Sequence, residues 1–184
     1  MGHPMIYTVE CSFADPASEA EWNDFYSLEK LPALISVSGF HTSQRFKAIS
    51  EISEGCPVYL ALHTVDNLDV LTSDAYRQKG GGNFAKWQQH ITDWHRNLYS
   101  DIGLAPAVGM NERLAVSAHG PDVLAQMGIA PLAMHAVALE KHPARRWLAV
   151  VPSRSVQIAQ DVAARDPRVQ LYVPMAAQLT SGND

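Results

Sequence analysis

His63, Tyr59, His41 and Arg45 are the side chains in this chain whose types and spacing suit chemistry. His63 and Tyr59 share one side of the alternating run Val58–Val65, and His41, Ser43 and Arg45 share one side of the run that follows Gly39. An imidazole can act as a general base or hydrogen-bond partner near neutral pH. An arginine fork matches a carboxylate or phenolate, and a tyrosine adds an aromatic wall and a hydroxyl. Each also has a plain structural reading. The histidines read as half-exposed strand residues, Tyr59 as core packing, and Arg45 as a wet surface residue or the partner of Glu10.

Other patterns are weaker. His90 and His95 are five apart, which misses the i,i+4 geometry of two metal ligands on one helical face. His135 and His142 lack a carboxylate at useful spacing, so no metal is assigned. "KGGGNF" (79–84) lacks the phosphate-loop pattern and follows a helix, so it reads as a joint or a ligand-gating loop. Trp22, Trp87 and Trp94 fall on helical stripes and read as core. Cys11 and Cys56 form no CxxC pair and read as small buried hydrophobes in a reducing, cytoplasmic compartment.

The elements that must position these residues follow from periodicity. Residues 5–13 alternate as a strand. Residues 18–35 read as a helix with Ser18 and Glu21 as a capping box, and Trp22, Phe25, Leu28, Leu31 and Ile35 as its apolar stripe. Pro32 should kink or fray its last turn. Strands are expected at 39–48 and 57–65, joined by the polar connection 49–57. Helix follows at 66–77 and again at 83–94, where Phe84, Trp87, Ile91 and Trp94 recur at helical spacing. Residues 95–102 read as a fourth strand.

A weaker copy of the order appears at 112–119 (strand), 121–128 (helix), 133–141 and 145–152 (hairpin), 155–166 (helix) and 168–179 (strand). The fold class is therefore α+β, with ferredoxin-like β-α-β-β-α-β units at 1–103 and 112–184 in tandem, the rival being one such domain with a C-terminal extension. The Pro- and Gly-bearing stretch 103–111 is the joint, and the tail "TSGND" reads as frayed.

At 184 residues and 47% hydrophobic content the chain can bury a core without disulfides. A net charge of −5 with scattered basic residues argues against nucleic-acid binding. No apolar run reaches membrane-spanning length, and the N-terminus lacks the pattern of a signal peptide. No GxSxG, HExxH or GxGxxG occurs.

Residues 22–45 and 58–99 resemble the dimeric α/β-barrel superfamily, in particular EthD-like and antibiotic-monooxygenase-like proteins. The matching positions are Glu29, Leu31, Pro32, Gly39, Phe40, Arg45 and Tyr59–Leu62. Lys30 stands where that family usually has histidine. The resemblance implies sheets paired as a barrel, closed by a homodimer or by a tandem repeat, with the homodimer favoured. It implies oxygenase or isomerase chemistry on a small apolar or aromatic ligand, without an organic cofactor. His63 and Tyr59 would be the catalytic pair, with Arg45, His41 and Lys30 holding substrate. The alternative is a non-catalytic binder on the same scaffold, a reading that Lys30 favours. On this view Val58, Leu60 and Leu62 meet the helices, and Tyr59 and His63 face the barrel interior.

Overall fold

The computed structural model describes residues 2–49 and 55–182. The expected connection at 49–57 lies largely outside the described residues; of the tail expected to fray, Thr180 pairs with Thr42 and Ser181 N–H donates to the His41 carbonyl, and 183–184 lie outside the described residues. The first half contains β1 (Met5–Phe13), β2 (Phe40–Ala48), β3 (Tyr59–Val65) and β4 (Ile91–Ser100), hydrogen-bonded in the order β4-β1-β3-β2. Its helical segments are α1 (Glu19–Phe25), α2 (Leu31–Ile35), α3 (Leu68–Thr72) and α4 (Asp74–Gln78). The second half contains β5 (Arg113–Ser117), α5 (Asp122–Ala125), β6 (Leu132–Leu139), β7 (Arg145–Val151), α6 (Val156–Arg165) and β8 (Gln170–Pro174), with strand order β6-β7-β5-β8.

The edges of the two sheets join. β4 pairs with β6 and β8 pairs with β2, so eight antiparallel strands close into a barrel. A short β9 (Leu179–Thr180) continues along β2 beyond β8. Among the described residues closure leaves no long unpaired edge. It occurs within one chain, so the barrel itself does not require a second copy.

Val58 packs on the helix side as expected, but the sidedness of Leu60, Leu62, Tyr59 and His63 is the reverse of the expectation. Leu60 and Leu62 point into the barrel with Ile6, Phe46, Tyr99 and Leu148. Tyr59 and Ala61 lie with Trp22, Tyr26 and Leu34 beneath the helices, and His63 shares that side. The expectation took the more apolar strand side to be the helix side. Both layers are buried; the aliphatic side of β3 packs in the barrel with Ile6 and Leu148, and the aromatic side packs under the helices with Trp22 and Tyr26.

The segment after β4 plugs one barrel end. Ala105 and Val108 are buried there. Ala105 N–H donates to Thr64 Oγ1 at 2.8 Å, and Gln44 exchanges two hydrogen bonds with the Val108 backbone. The stretch read as a joint is thus a stopper. Deeper inside, Arg146 donates to the Glu10 carboxylate at 2.8 Å. Glu10 is therefore not the partner of Arg45, which lies on the other face of the sheet.

Two local irregularities explain the misplaced residues. Residues 83–94 are not one helix: a 3-10 segment covers Ala85–His90, and β4 begins at Ile91. A bulge opposite Cys11 places two β4 residues against one of β1. The extra residue leaves Ile91 and Trp94, three apart, both against the helix-side core, and this mimics a helical spacing. A π-turn at Tyr26–Lys30 then joins α1 to α2. It adds one residue before Pro32, which sits in the first turn of α2, where a missing N–H is tolerated. The buried stripe becomes Trp22, Tyr26, Lys30, Leu31 and Leu34, while Leu28 is 72% exposed.

Candidate functional site

The polar groups with the most unusual surroundings lie between the first-half sheet and its helices. β3 carries His63 onto this side. Its Nδ1 is 2.6 Å from the Ser43 hydroxyl of β2, directly across the ladder. Its ring stacks on Tyr7 at 5.5 Å and meets the edge of Phe40 at 5.5 Å. Its Nε2 is buried and has no hydrogen-bond partner. Burial, and secondarily the Lys30 ammonium, pull the His63 pKa down to about 3. The imidazole is neutral at physiological pH. The Ser43 hydroxyl can donate or accept, so Nε2 presents either a lone pair or an N–H.

Lys30 is turned inward by the π-turn, a feature found often at functional sites. It is 5% exposed and donates to the carbonyls of Gly80 and Asn83, the latter at 2.5 Å. Its Nζ lies 4.7 Å from the centre of the Phe84 ring. Burial lowers its pKa to about 8. The carbonyls belong to the glycine run between α4 and the 3-10 segment. Gly80 and Gly82 have φ of +86° and +74°, a region that favours glycine. A Cβ on Gly81 would sit 2.4 Å from the Tyr76 ring.

Tyr76 and Tyr7 share a hydrogen bond of 2.9 Å between hydroxyls, and Arg96 donates to Tyr7 at 3.3 Å. Burial raises the Tyr7 pKa well above its ordinary value. The loop, Lys30, Tyr76, Tyr7, Arg96 and His63 therefore form one layer. The Gly81–Tyr76 contact gives a direct prediction: Gly81→Ala should destabilise the protein by about 1–3 kcal/mol through overpacking. Urea unfolding measures this, and a cost below about 0.3 kcal/mol would mean that the loop does not rest on Tyr76.

The remaining candidates are dispersed. Arg45 is fully buried beneath Tyr26, its guanidinium carbon 4.0 Å from that ring. It donates to Asn23 Oδ1 and Ser27 Oγ, each at 2.9 Å. Burial lowers its pKa, and among the described residues no carboxylate pairs with it or with Lys30. Tyr59 donates to Glu19 at 3.1 Å and accepts from Asn23 at 3.0 Å. It sits beside Arg45 rather than under the glycine loop. His41 occupies a bulge in β2 and faces the surface, 2.6 Å from Asp66. Trp22 Nε1, near Arg45, is a second buried atom without a partner.

The structure brings Lys30 and His63, both singled out in the sequence, into one layer with Tyr7, Tyr76 and Arg96, which the sequence reading did not single out. The signal was the glycine run, whose neighbours in space were not legible. Among the described residues no cluster of histidine, cysteine or carboxylate side chains is arranged to hold a metal ion. Cys11 and Cys56 are free thiols, and burial pushes Cys11 up to about 12. A separate surface cavity of about 760 Å³ lies near His3, Asp66, Asn67 and Asp101. Asp66 there is already engaged by His41.

No protein-family model and no curated protein matches the chain. Solved structures do. The crystal structure of an anthrone oxidase-like protein is similar with a TM-score of 0.59 and 8% identity, covering 100% of this chain and 95% of the other. A "putative monooxygenase" from Fusobacterium nucleatum gives 0.58 and 7%, covering 100% and 97%. Another of that name from Lactobacillus acidophilus gives 0.53 and 10%, covering 98% and 97%. The chain therefore shares an α/β-barrel fold with these proteins. Identities this low establish the fold alone. Among the described residues no helix is long and apolar enough to cross a membrane.

Proposed function

We propose that the protein is an oxygenase acting on a small aromatic compound with an acidic C–H or O–H, without an organic cofactor. The observation that carries this reading is the unpartnered, fully buried Nε2 of His63, in the same layer as a buried ammonium that has no carboxylate. His63 accepts the substrate proton, and Lys30 stabilises the resulting enolate or phenolate. Tyr76 and Tyr7 supply hydrogen bonds and ring walls, and Phe40 and Phe84 keep the layer apolar. Tyr59 and Arg45 support α1 rather than touch substrate, and His41 is outside the site.

The pKa of His63 bears on this directly. Its low value reflects burial and a neighbouring cation, both of which disfavour imidazolium. A substrate anion formed between His63 and Lys30 supplies the opposite charge to both. For an activated methylene the balance is CH2 + O2 → C=O + H2O. The carbanion passes electrons to dioxygen, one oxygen atom stays on carbon, and the other leaves as water. Dioxygen is the only oxidant required.

The names of the structural neighbours support this class, as does the EthD-like pattern around Pro32, Gly39 and Arg45. Each half runs β-α-β-β-α-β with one strand order, which supports the finer description as two ferredoxin-like units at 1–103 and 112–184.

Anthrone in air-saturated buffer is the first test, read by an oxygen electrode and by absorbance of the quinone. One O2 should be consumed per quinone formed, and His63→Gln should lower the rate by about 10²-fold while remaining folded. An unchanged rate in His63→Gln would remove His63 from the reaction. A binder on the same scaffold is the second reading, favoured by the weak basicity of His63. Ligand-induced thermal stabilisation, with oxygen uptake no faster than in buffer, would select it.

A further inference from the structure

The glycine run passes over three groups in turn. A Cβ on Gly80 would lie 3.8 Å from Lys30 Nζ, one on Gly81 would strike the Tyr76 ring, and one on Gly82 would lie 3.8 Å from Arg96 Nη1. Two cations therefore sit directly under one short loop. Lys30 gives its hydrogen bonds to loop carbonyls, and Arg96 gives one to a tyrosine hydroxyl. Arg45, farther along the layer, is also held by neutral groups. The contrast is Arg146 in the barrel, which has its own carboxylate. A buried cation normally gains a full counter-charge, and carbonyl dipoles compensate only part of its desolvation.

We propose that the carbonyls of Gly80 and Asn83 stand in for the anion of a ligand. The glycine loop is a lid latched to Lys30, and a phenolate or enolate entering beneath it takes over the ammonium's hydrogen bonds. Three features make the loop suited to this movement. It carries no side chain at its three central positions, two of them in the left-handed region. It joins short segments, α4 and a 3-10 turn, rather than ladder strands. Its outer side is exposed at Lys79, Gly82 and Asn83. The walls specify a delocalised aromatic anion over a small hydrated one: Phe84 faces Lys30, and Phe40 stacks on Tyr76 and meets the edge of His63. The unpartnered His63 Nε2 provides the second polar contact.

The inference rests on reading this layer as the ligand site, though not on oxygenation. Two probes and one protease test it on the full chain. Trypsin can cut after the exposed Lys79, with mass spectrometry locating the cut. The anion probe is 4-nitrophenol in its ionised form, and nitrobenzene is its neutral control. The wild type should resist cutting at Lys79 until 4-nitrophenolate saturates it, and should prefer the phenolate over nitrobenzene by at least tenfold. Lys30→Met should be cut at least tenfold faster without ligand and should lose at least tenfold in phenolate affinity, with nitrobenzene binding unchanged. Lys30→Arg should restore the phenolate preference.

If Lys30→Met does not fold, Lys30→Gln carries the test, since it keeps a donor for the carbonyls without the charge. The loop should then stay shut while phenolate affinity falls. Cutting of Lys30→Met at the wild-type rate, or of Lys30→Gln faster than wild type, overturns the latch. Undiminished phenolate affinity in either variant overturns the anion site. Oxygen uptake enters none of these readouts. Absent turnover therefore leaves the latch standing, and a failed latch leaves the oxygenase reading to be judged by oxygen uptake.

Discussion

Arg146→Met should destabilise the protein by about 3–5 kcal/mol, because it strands the Glu10 carboxylate inside the barrel without a cation. The pair is dry, with side chains 6% and 8% exposed and 2.8 Å apart. Burial works against the charge on Arg146. Glu10 first, then the Tyr172 and Tyr99 hydroxyls, more than offset it, so the Arg146 pKa is raised above its ordinary value. Arg146 also donates to Gln170 at 3.4 Å, and Tyr172 donates to the same Gln170 oxygen.

The double variant Glu10→Leu/Arg146→Met separates the pair's own contribution from the cost of an orphaned charge. It removes both charges from a site walled by Leu60, Leu148 and Tyr99. Its stability should lie within about 1.5 kcal/mol of wild type, well above either single variant. Urea unfolding of the four proteins gives the cycle. A loss below about 1 kcal/mol for Arg146→Met alone would mean that water reaches Glu10 and that the barrel is not dry.

Local signals and long-range pairing explain which parts of the structure were legible in the sequence. Strand positions were readable because alternation at 5–13, 40–48 and 59–65 is a local signal. Which face of β3 meets the helices was not local. Leu60, Leu62, Tyr59 and His63 alternate the same way whichever side is inside, and only barrel closure across β4–β6 and β8–β2 decides it. Phase errors also came from single inserted residues. The π-turn moved burial from Leu28 to Tyr26 and Lys30. The β4 bulge made a strand look helical, and the β2 bulge turned His41 outward. The candidate site was half legible for the same reason. Lys30 was visible as a departure from the family pattern and His63 as a titratable residue on a strand face, whereas Tyr7, Tyr76 and Arg96 look ordinary until β1, α4 and β4 are brought under one loop.

Lowering the pH from 7 to 4 should cost the protein about 3 kcal/mol through His63 alone. The sign follows from where the proton goes. Unfolded, the imidazole titrates at its ordinary 6.5; folded, burial and Lys30 hold it at about 3. Between those values the unfolded chain binds a proton that the native chain does not. Stability from this group is therefore complete above pH 6.5 and is lost as the pH falls toward 3. Lys30 does not blur the window, because its lowered pKa of about 8 leaves it protonated in both states below pH 7. Carboxylates elsewhere also titrate in acid, so the informative quantity is a difference. Wild type and His63→Gln should differ in stability by about 3 kcal/mol less at pH 4 than at pH 7, measured by urea unfolding at both values. Glutamine has no proton to gain, and it retains an amide that can reach Ser43. An identical difference at both pH values would show that His63 titrates normally. Water would then reach Nε2 in the native state, and the buried, unpartnered nitrogen on which the proposed reaction depends would not exist in solution.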